Sequence, residues 1–278
     1  MAHKVLDTLK ECKDILKENN IRLYDSDAEF ILAHVLDCNR GDLLTMDSIS
    51  DEKYYLAIEN TYRRVKHEPL DSIIGYTNFY SVVIPFSKDV LTPRNETEIL
   101  VDKVVKDIKA NYKAPKVLDL CSGSGCIGLA IAKSTSALVL LSDISGVALD
   151  ISMKNAKINN VDVQYVKSDL FSNIQGKYDI IVSNPPYIRT KDLESLEAEV
   201  RDFDPVIALD GKDDGYYFYR EIVKDLKNHL NPHGRIYFEV GYDQAQEVSN
   251  LLKTDFENIS IIKDYSGIDR IVTATLKD

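Results

Sequence analysis

An α/β fold with a mainly parallel, doubly wound sheet is what this sequence predicts, with a small all-helical domain in front of it. Three observations lead there. Apolar residues recur at helical spacing from residue 3 to about 68, strands and helices alternate from residue 95 onward, and "VLDLCSGSGCIGLAIA" (117–132) reads as strand, glycine turn and helix.

In the first region the helical positions are Val5, Leu6, Leu9, Ile15 and Leu16, then Phe30, Ile31, Ala33, Val35 and Leu36, then Tyr54, Leu56, Ile58 and Val65. Gly41 is its one glycine, as a small helical bundle requires. "DSDAEFILAHVL" predicts a helix capped at Ser26 with Glu29 three residues on, and "SISDEKYYLAIENTYRRV" predicts a second capped at Ser50; the first cap is the firmer by pattern. After "EPLDSIIG" the period changes. "FYSVVIPFSKDVLT" predicts a hairpin turning at "SKD" and joining two domains. The boundaries follow as 1–72, 73–93 for the hairpin linker, and 94–278.

Beyond that point come the helix "NETEILVDKVVKDIKANY", strand "KVLDL", helix "CIGLAIAKS", strand "ALVLLSDI", helix "VALDISMKNAKINN" and strands "VQYVKSD" and "YDIIVSN". The helix "YYFYREIVKDLKNHL", strand "RIYFEV", helix "DQAQEVSNLLK" and strands "ISIIKDY" and "DRIVTATL" complete the set. The closing pair, with no long helix between them, predicts an antiparallel edge.

Composition removes several function classes. The 278 residues are 44% hydrophobic and 28% charged with a formal net charge of -11, so a nonspecific grip on nucleic acid is not expected. Cys12, Cys38, Cys121 and Cys126 form no CxxC pair, which fits reduced thiols. The close pair His229 and His233 is split by Pro232, and no metal site is expected. The start "MAHKVLDTLKECKDIL" lacks the apolar core of a signal peptide and no window has the length of a membrane span, so the expectation is a cytoplasmic protein without membrane contact.

Gly123, Gly125 and Gly128 match GxGxxG, a dinucleotide fingerprint that is weak when alone. Asp119 stands just before the turn, where a carboxylate repels a pyrophosphate but suits S-adenosylmethionine, which carries a sulfonium and an α-ammonium and no phosphate. Asp143 ends the next strand, placed for ribose hydroxyls, and Asp169 ends the one after, placed for the adenine amine with Leu170 or Phe171 near the ring. The structural alternative makes Asp119 a turn cap, Asp143 a cap for a helix near Ser145, and Asp169 a solvated loop residue.

"SNPPY" (183–187) follows the apolar run "YDIIV". Its two prolines remove two donors and fix two φ angles, which makes a rigid loop at a strand end. Asn184 and the carbonyl of Pro185, whose direction Pro186 restricts, offer two acceptors to one planar NH2 group, and Tyr187 offers a flat face beside it. A plain Pro-Pro turn is the bland alternative.

"NPPY" after "VLDLCSGSGC", together with "IIGYTNFYSVVIPFSKDVLTPRNETEIL", "DFDPVIALDGKDDGYYFYR", "GRIYFEVGYDQAQEV" and "YSGIDRIV", resembles the release factor glutamine methyltransferase family, known as PrmC or HemK. The resemblance covers nearly the whole chain. It implies a seven-stranded class I methyltransferase sheet, Rossmann-like, behind a small helical domain; the architecture, with a bundle that a small-molecule enzyme would have little use for, leads to the expectation that this domain binds the release factor. It also implies transfer of a methyl group from S-adenosylmethionine to the glutamine amide of the release factor Gly-Gly-Gln motif. By position, the cofactor loop falls on Cys121, Ser122, Gly123, Ser124 and Gly125, with Asp119, Asp143, Asp169, Leu170 and Asn184 completing the cofactor side. Asn184, Pro185, Pro186 and Tyr187 take the substrate, with Asn184, Pro185 and Tyr187 as the catalytic residues, in a monomer acting on a protein and not directly on nucleic acid. Two positions depart from the family pattern. Cys121 replaces a usual glycine, which makes a strained backbone there doubtful, and Asn95 replaces a usual proline. Arg94 and Glu98 fit equally an ordering of the cofactor pocket and a helix-start ion pair, and stay outside the site.

Rival readings are an adenine-N6 DNA methyltransferase, which needs base flipping and a basic channel, and a nicotinamide oxidoreductase, which leaves Asp119 and SNPPY unexplained. A noncatalytic binding protein is the third.

Overall fold

The structure, a computed structural model, describes residues 3–278 and divides into two compact units. One runs up to Tyr76 and includes Glu197–Phe203; the other holds Thr77–Leu196 and Asp204–Asp278.

The first unit contains β1 (His3–Lys4), α1 (Val5–Glu18), α2 (Tyr24–Leu36), β2 (Ser48–Ile49), α3 (Asp51–Val65) and α4 (Leu70–Ile74). Val5, Leu9, Cys12 and Leu16 fall on one stripe of α1 and are buried with Ala28, Leu32 and Leu36 of α2 and Ala57 of α3. The two expected caps fared in reverse order. Ser50 does cap α3, accepting from the Lys53 N–H at 3.3 Å. Ser26 lies inside α2, which begins at Tyr24 with no side-chain cap, and its hydroxyl donates back to the Leu23 carbonyl. Arg64 of α3, buried, donates to Asp27 at 2.8 Å and to Glu199 at 2.7 Å, which ties the Glu197–Phe203 segment into this unit.

In chain order, the remaining elements are β3 (Tyr76–Phe79), β4 (Val82–Pro85), α5 (Asn95–Asn111), β5 (Lys116–Leu120), α6 (Cys126–Ser134), β6 (Leu138–Asp143), α7 (Gly146–Asn159), β7 (Gln164–Lys167) and β8 (Tyr178–Ser183). They continue with α8 (Ala198–Arg201), which belongs to the first unit, then α9 (Val206–Leu209), α10 (Tyr217–His229), β9 (Leu230–Glu239), α11 (Ala245–Leu252), β10 (Phe256–Lys263) and β11 (Asp269–Leu276). The hairpin turns at Tyr80–Ser81, earlier than the expected "SKD", and Tyr80 takes a positive φ of 51° there. Glu98 accepts the Tyr80 N–H, and Asn159 of α7 bonds both the N–H and the carbonyl of Val83 at 2.8 Å. Phe79, Val82 and Ile84 are core residues of the second unit, so the hairpin expected as a linker is packed as part of it.

Seven strands make one sheet in the order β10-β11-β9-β8-β5-β6-β7. The pairs β5–β6, β5–β8, β6–β7 and β8–β9 are parallel, while β11 is antiparallel to both of its neighbours. The closing pair is antiparallel and lies at one edge of the sheet, as expected. The last strand of the chain inserts between β9 and β10, and β10 forms the edge. Strand alternation sends Val117, Ile180, Val182 and Tyr237 into the core under α5 and α6, and Leu118, Ile181, Ile236 and Phe238 into the core under α10 and α11.

Candidate active site

The glycine loop leaves the carboxyl end of β5, a central strand. Cys121, Gly123 and Gly125 take φ of 63°, 52° and 78°. Cys121 therefore does carry the left-handed strain that its side chain made doubtful from the sequence; tertiary packing against the α10–α11 core outweighs the local preference. A Cβ at Gly123 would meet nothing within 4 Å, so that face of the loop is open to close approach. At Gly128 a Cβ would lie 2.2 Å from Leu141 Cδ2 and 2.9 Å from Asp119 Oδ2, so only glycine lets α6 settle on the sheet.

Asp119 is fully buried beneath this loop. Its Oδ2 accepts the Gly128 N–H at 2.8 Å, and its Oδ1 is enclosed without a partner among the described residues. Burial pushes its carboxyl up to about 7, with the Gly128 N–H holding it back in part. The Cys121 thiol is raised as well, first by burial and then by the Asp143 carboxylate.

Asp143, at the end of β6, accepts the Gly123 N–H on one oxygen and the Ser145 N–H on the other, each at 2.8 Å. Burial raises its carboxyl and these backbone donors pull it down. It thus ties the glycine loop to the start of α7, while the cap of α7 is Ser145, which accepts from Ala148 at 3.2 Å. A carboxylate so engaged keeps acceptor capacity for a further donor. Asp169 is exposed beyond β7, in a loop held by the Ser168 hydroxyl on the Leu170 carbonyl at 2.7 Å and the Asp169 N–H on Ser172 at 3.1 Å. Leu170 is half-buried with φ 46°. Phe171, the other candidate for a ring contact, is buried instead, stacked on His229 at 4.4 Å in the α10–α11 core.

The loop after β8 is held by a cage that the sequence reading did not find. Ser183 donates to the Leu120 carbonyl at 2.6 Å, fastening the end of β8 to the end of β5. Past Asn184 and Pro185 the Ile188 N–H donates to Leu209 at 2.9 Å and its carbonyl accepts from Gly211 at 2.7 Å. Buried Gln244 donates to the carbonyls of Tyr187 and Gly215, both at 3.1 Å, and accepts from the Gly241 N–H at 3.0 Å. A Cβ at Gly211 would lie 2.6 Å from Tyr187 Cα, and one at Gly215 would lie 2.5 Å from the Tyr187 carbonyl oxygen. Desolvation also raises the Tyr187 phenol, which is neutral at working pH. The signals for the cage were present as glycines in "LDGKDDG" and "EVG", without a pattern to say what they approached.

Glu239, the last residue of β9, was also missed. It is 4% exposed, its Oε2 has no partner among the described residues, and burial raises its carboxyl to about 7. The Thr97 hydroxyl, the Arg270 charge and the Asn184 amide offset part of that rise. Arg94 and Glu98 take separate partners rather than pairing with each other, Glu98 accepting the Tyr80 N–H at 2.8 Å. Arg94 pairs with Asp204, which also accepts the Thr92 N–H at 3.1 Å.

A seven-stranded sheet with one antiparallel strand, a glycine loop between an orphaned carboxylate and a strand-end acid, and a caged Asn-Pro-Pro-Tyr loop beside it define a class I methyltransferase. The comparisons agree. Residues 85–269 match the family of the methyltransferase small domain, and residues 7–75 match the PrmC N-terminal domain. The release factor glutamine methyltransferase of Clostridium acetobutylicum is 40% identical over 98% of this chain and 98% of its own length; that of Thermodesulfovibrio yellowstonii is 36% identical over 97% of each. Among solved structures, the hMettl16 catalytic domain superposes with a TM-score of 0.58 at 14% identity, over 84% of this chain and 86% of that one. A methyltransferase from Pyrococcus furiosus does so with 0.53 at 15%, over 79% and 98%. These two likenesses concern the fold. The chain belongs to the release factor glutamine methyltransferase family. Among the described residues, no helix is long and apolar enough to cross a membrane.

Proposed function

We propose that this chain moves a methyl group from S-adenosyl-L-methionine to the side-chain amide nitrogen of the Gly-Gly-Gln glutamine in a peptide chain release factor. The observation that carries this reading is the rigid presentation of Asn184 and Pro185 one strand away from the open glycine loop, with Ser183 fastening the two strand ends. S-adenosylmethionine fits the residues present. The unpartnered Oδ1 of Asp119 is a buried acceptor suited to an ammonium, and the face of Gly123 is unobstructed.

The loop from Cys121 to Gly125 would take the methionine and ribose portions, the remaining acceptor capacity of Asp143 the ribose hydroxyls, and Asp169 with Leu170 the adenine. When bound, the donor supplies a methyl group on a cationic sulfur. The chain's own residues handle the acceptor. Asn184 Oδ1 and the Pro185 carbonyl accept the two hydrogens of the glutamine amide, which orients a poor nucleophile and raises its electron density. Tyr187 covers the flat face of the amide. Rate enhancement on this reading comes from positioning and fixed dipoles. The methylated nitrogen is strongly acidic and releases its proton without a dedicated base.

The helical unit is assigned the grip on the protein substrate. Leu23, Leu44, Tyr55 and Tyr62 each leave half or more of their surface exposed there, an apolar display suited to a protein partner. The enzyme is read as a cytoplasmic monomer. The adenine-modifying alternative has no observation in its favour.

The test is methylation of purified release factor with labelled S-adenosylmethionine, with the modified residue read by mass spectrometry. Asn184→Ala should lower turnover on the order of a hundredfold or more while cofactor affinity changes little. Near-normal turnover by that variant removes Asn184 from the mechanism.

A further inference from the structure

Glu239 is a buried acid that the mechanism above does not use. Its place is set by the sheet. In the parallel β8–β9 ladder Ser183 pairs with Phe238, so Glu239, the last residue of β9, stands across from Asn184, the first residue past β8. Alternation puts both on the face of Val182 and Tyr237, the side on which Thr97 of α5 lies. On the other side Glu239 pairs with Ile271 of β11, and its carbonyl is held by the Tyr219 hydroxyl at 2.8 Å. The acid is therefore fixed by both neighbouring strands and by α10, at the end of β9 beside Asn184.

We propose that Glu239 is a positioning residue: its carboxylate holds the amino end of the Asn184 amide, so that Oδ1 of Asn184 is the end left to accept from the substrate nitrogen. This rests on the methyl-transfer reading above and deepens it. A primary amide on a rigid loop has two orientations related by a half-turn, and the wrong one sets an NH2 donor against the NH2 of the substrate. An ionised carboxylate can only accept, so it selects the productive orientation. A protonated carboxyl also donates, to Oδ1, and admits the other.

The groups facing Glu239 are Glu96 and Thr97 of α5, Arg270 of β11, the phenols of Tyr187 and Tyr219, and the Cys126 thiol on α6. The two phenols and the thiol are raised by burial and stay neutral between pH 6 and 9. Asp119 titrates in the same range as Glu239, but on β5, so rates are to be taken at saturating S-adenosylmethionine.

The experiment uses the full chain and Glu239→Gln, with Glu239→Asp as a second variant that keeps the acid. Two quantities are read from pH 6 to 9: kcat on release factor, and the NMR shift of the Asn184 side-chain NH2. In the wild type both should rise or move together as pH passes about 7. Glu239→Gln should lower kcat on the order of tenfold to a hundredfold, with KM for the release factor little changed. The pH-dependent limb and the movement of the Asn184 resonance should both disappear in it. Glu239→Asp should retain both. A Glu239→Gln enzyme with wild-type kcat and an unaltered limb overturns the proposal, as does an Asn184 resonance indifferent to pH in the wild type. Failure of the wild type to methylate release factor overturns the functional reading instead, and the resonance then decides the Glu239–Asn184 contact alone.

Discussion

The loop after β5 and the loop after β8 leave neighbouring strands of one sheet, yet the chain shapes them by different means. The first is shaped by its own backbone: three alternate left-handed positions, with the Asp143 carboxylate collecting two N–H groups around the bend. The second is shaped from outside, by Gln244, by the bridge to Leu209–Gly211 and by glycines whose absent side chains let other segments press against Tyr187. The first arrangement leaves an open concave surface beside a buried acid. The second leaves two acceptors immobilised by distant parts of the chain.

Steric substitution in the cage should have the largest effect. Gly211→Ala places a methyl group against the Tyr187 backbone, which cannot give way as a flexible side chain would. Stability should fall by about 2 kcal/mol in denaturant unfolding. Methyl transfer should fall at least roughly tenfold through the displaced loop while affinity for S-adenosylmethionine stays near wild type. A variant that keeps full turnover would show that the loop is rigid without its cage.

An electrostatic substitution beneath the other loop, on β5, should act in the opposite direction on stability. The folded Asp119 carboxyl titrates at about 7 against an ordinary 3.8, so the folded state holds its proton longer than the unfolded chain does. Stability is therefore lost as pH rises from about 4 to 7, and the whole cost remains above 7. Asp119→Asn should stabilise the cofactor-free protein on the order of 2 kcal/mol at pH 8 and much less near pH 5, and it should weaken S-adenosylmethionine binding. Thermal unfolding at the two pH values, with calorimetric titration of the cofactor, checks both. Equal gains at both pH values would locate the effect in packing.

The smallest effect sharpens the backbone half of the comparison. At Cys121 glycine should be more stable than alanine by about 1 kcal/mol, because both lose the thiol and only glycine accepts the left-handed angle freely. Unfolding of Cys121→Gly beside Cys121→Ala measures it, and identical midpoints would mean the strain is absent.

Much of the catalytic fold was legible in the sequence because alternating periods and the strand–glycine–helix unit are local signals. The order of strands at the far edge was not. Nothing in "ISIIKDY" or "DRIVTATL" says which of the two pairs with β9, since that choice is made by cross-strand packing. The start of α2 moved because burial of Ala28, Ile31 and Leu32 fixed the helix without a cap. The glycine loop, Asp143 and the Asn-Pro-Pro-Tyr loop stood where the reading put them in the sheet, while Phe171 turned inward to His229. Glu239 was within reach: alternation in "RIYFEV" sets it on the face of Tyr237, and an acid on an inward face of a central strand is a signal.

Gln244 joins residues 187, 215 and 241 through one side chain. The four-residue Asn-Pro-Pro-Tyr signature is consequently not a portable module. Transplanted by itself into another doubly wound sheet, it would arrive without the partners that hold it still, and an engineer would have to carry over three separate stretches of polypeptide to recreate one fixed pair of oxygens.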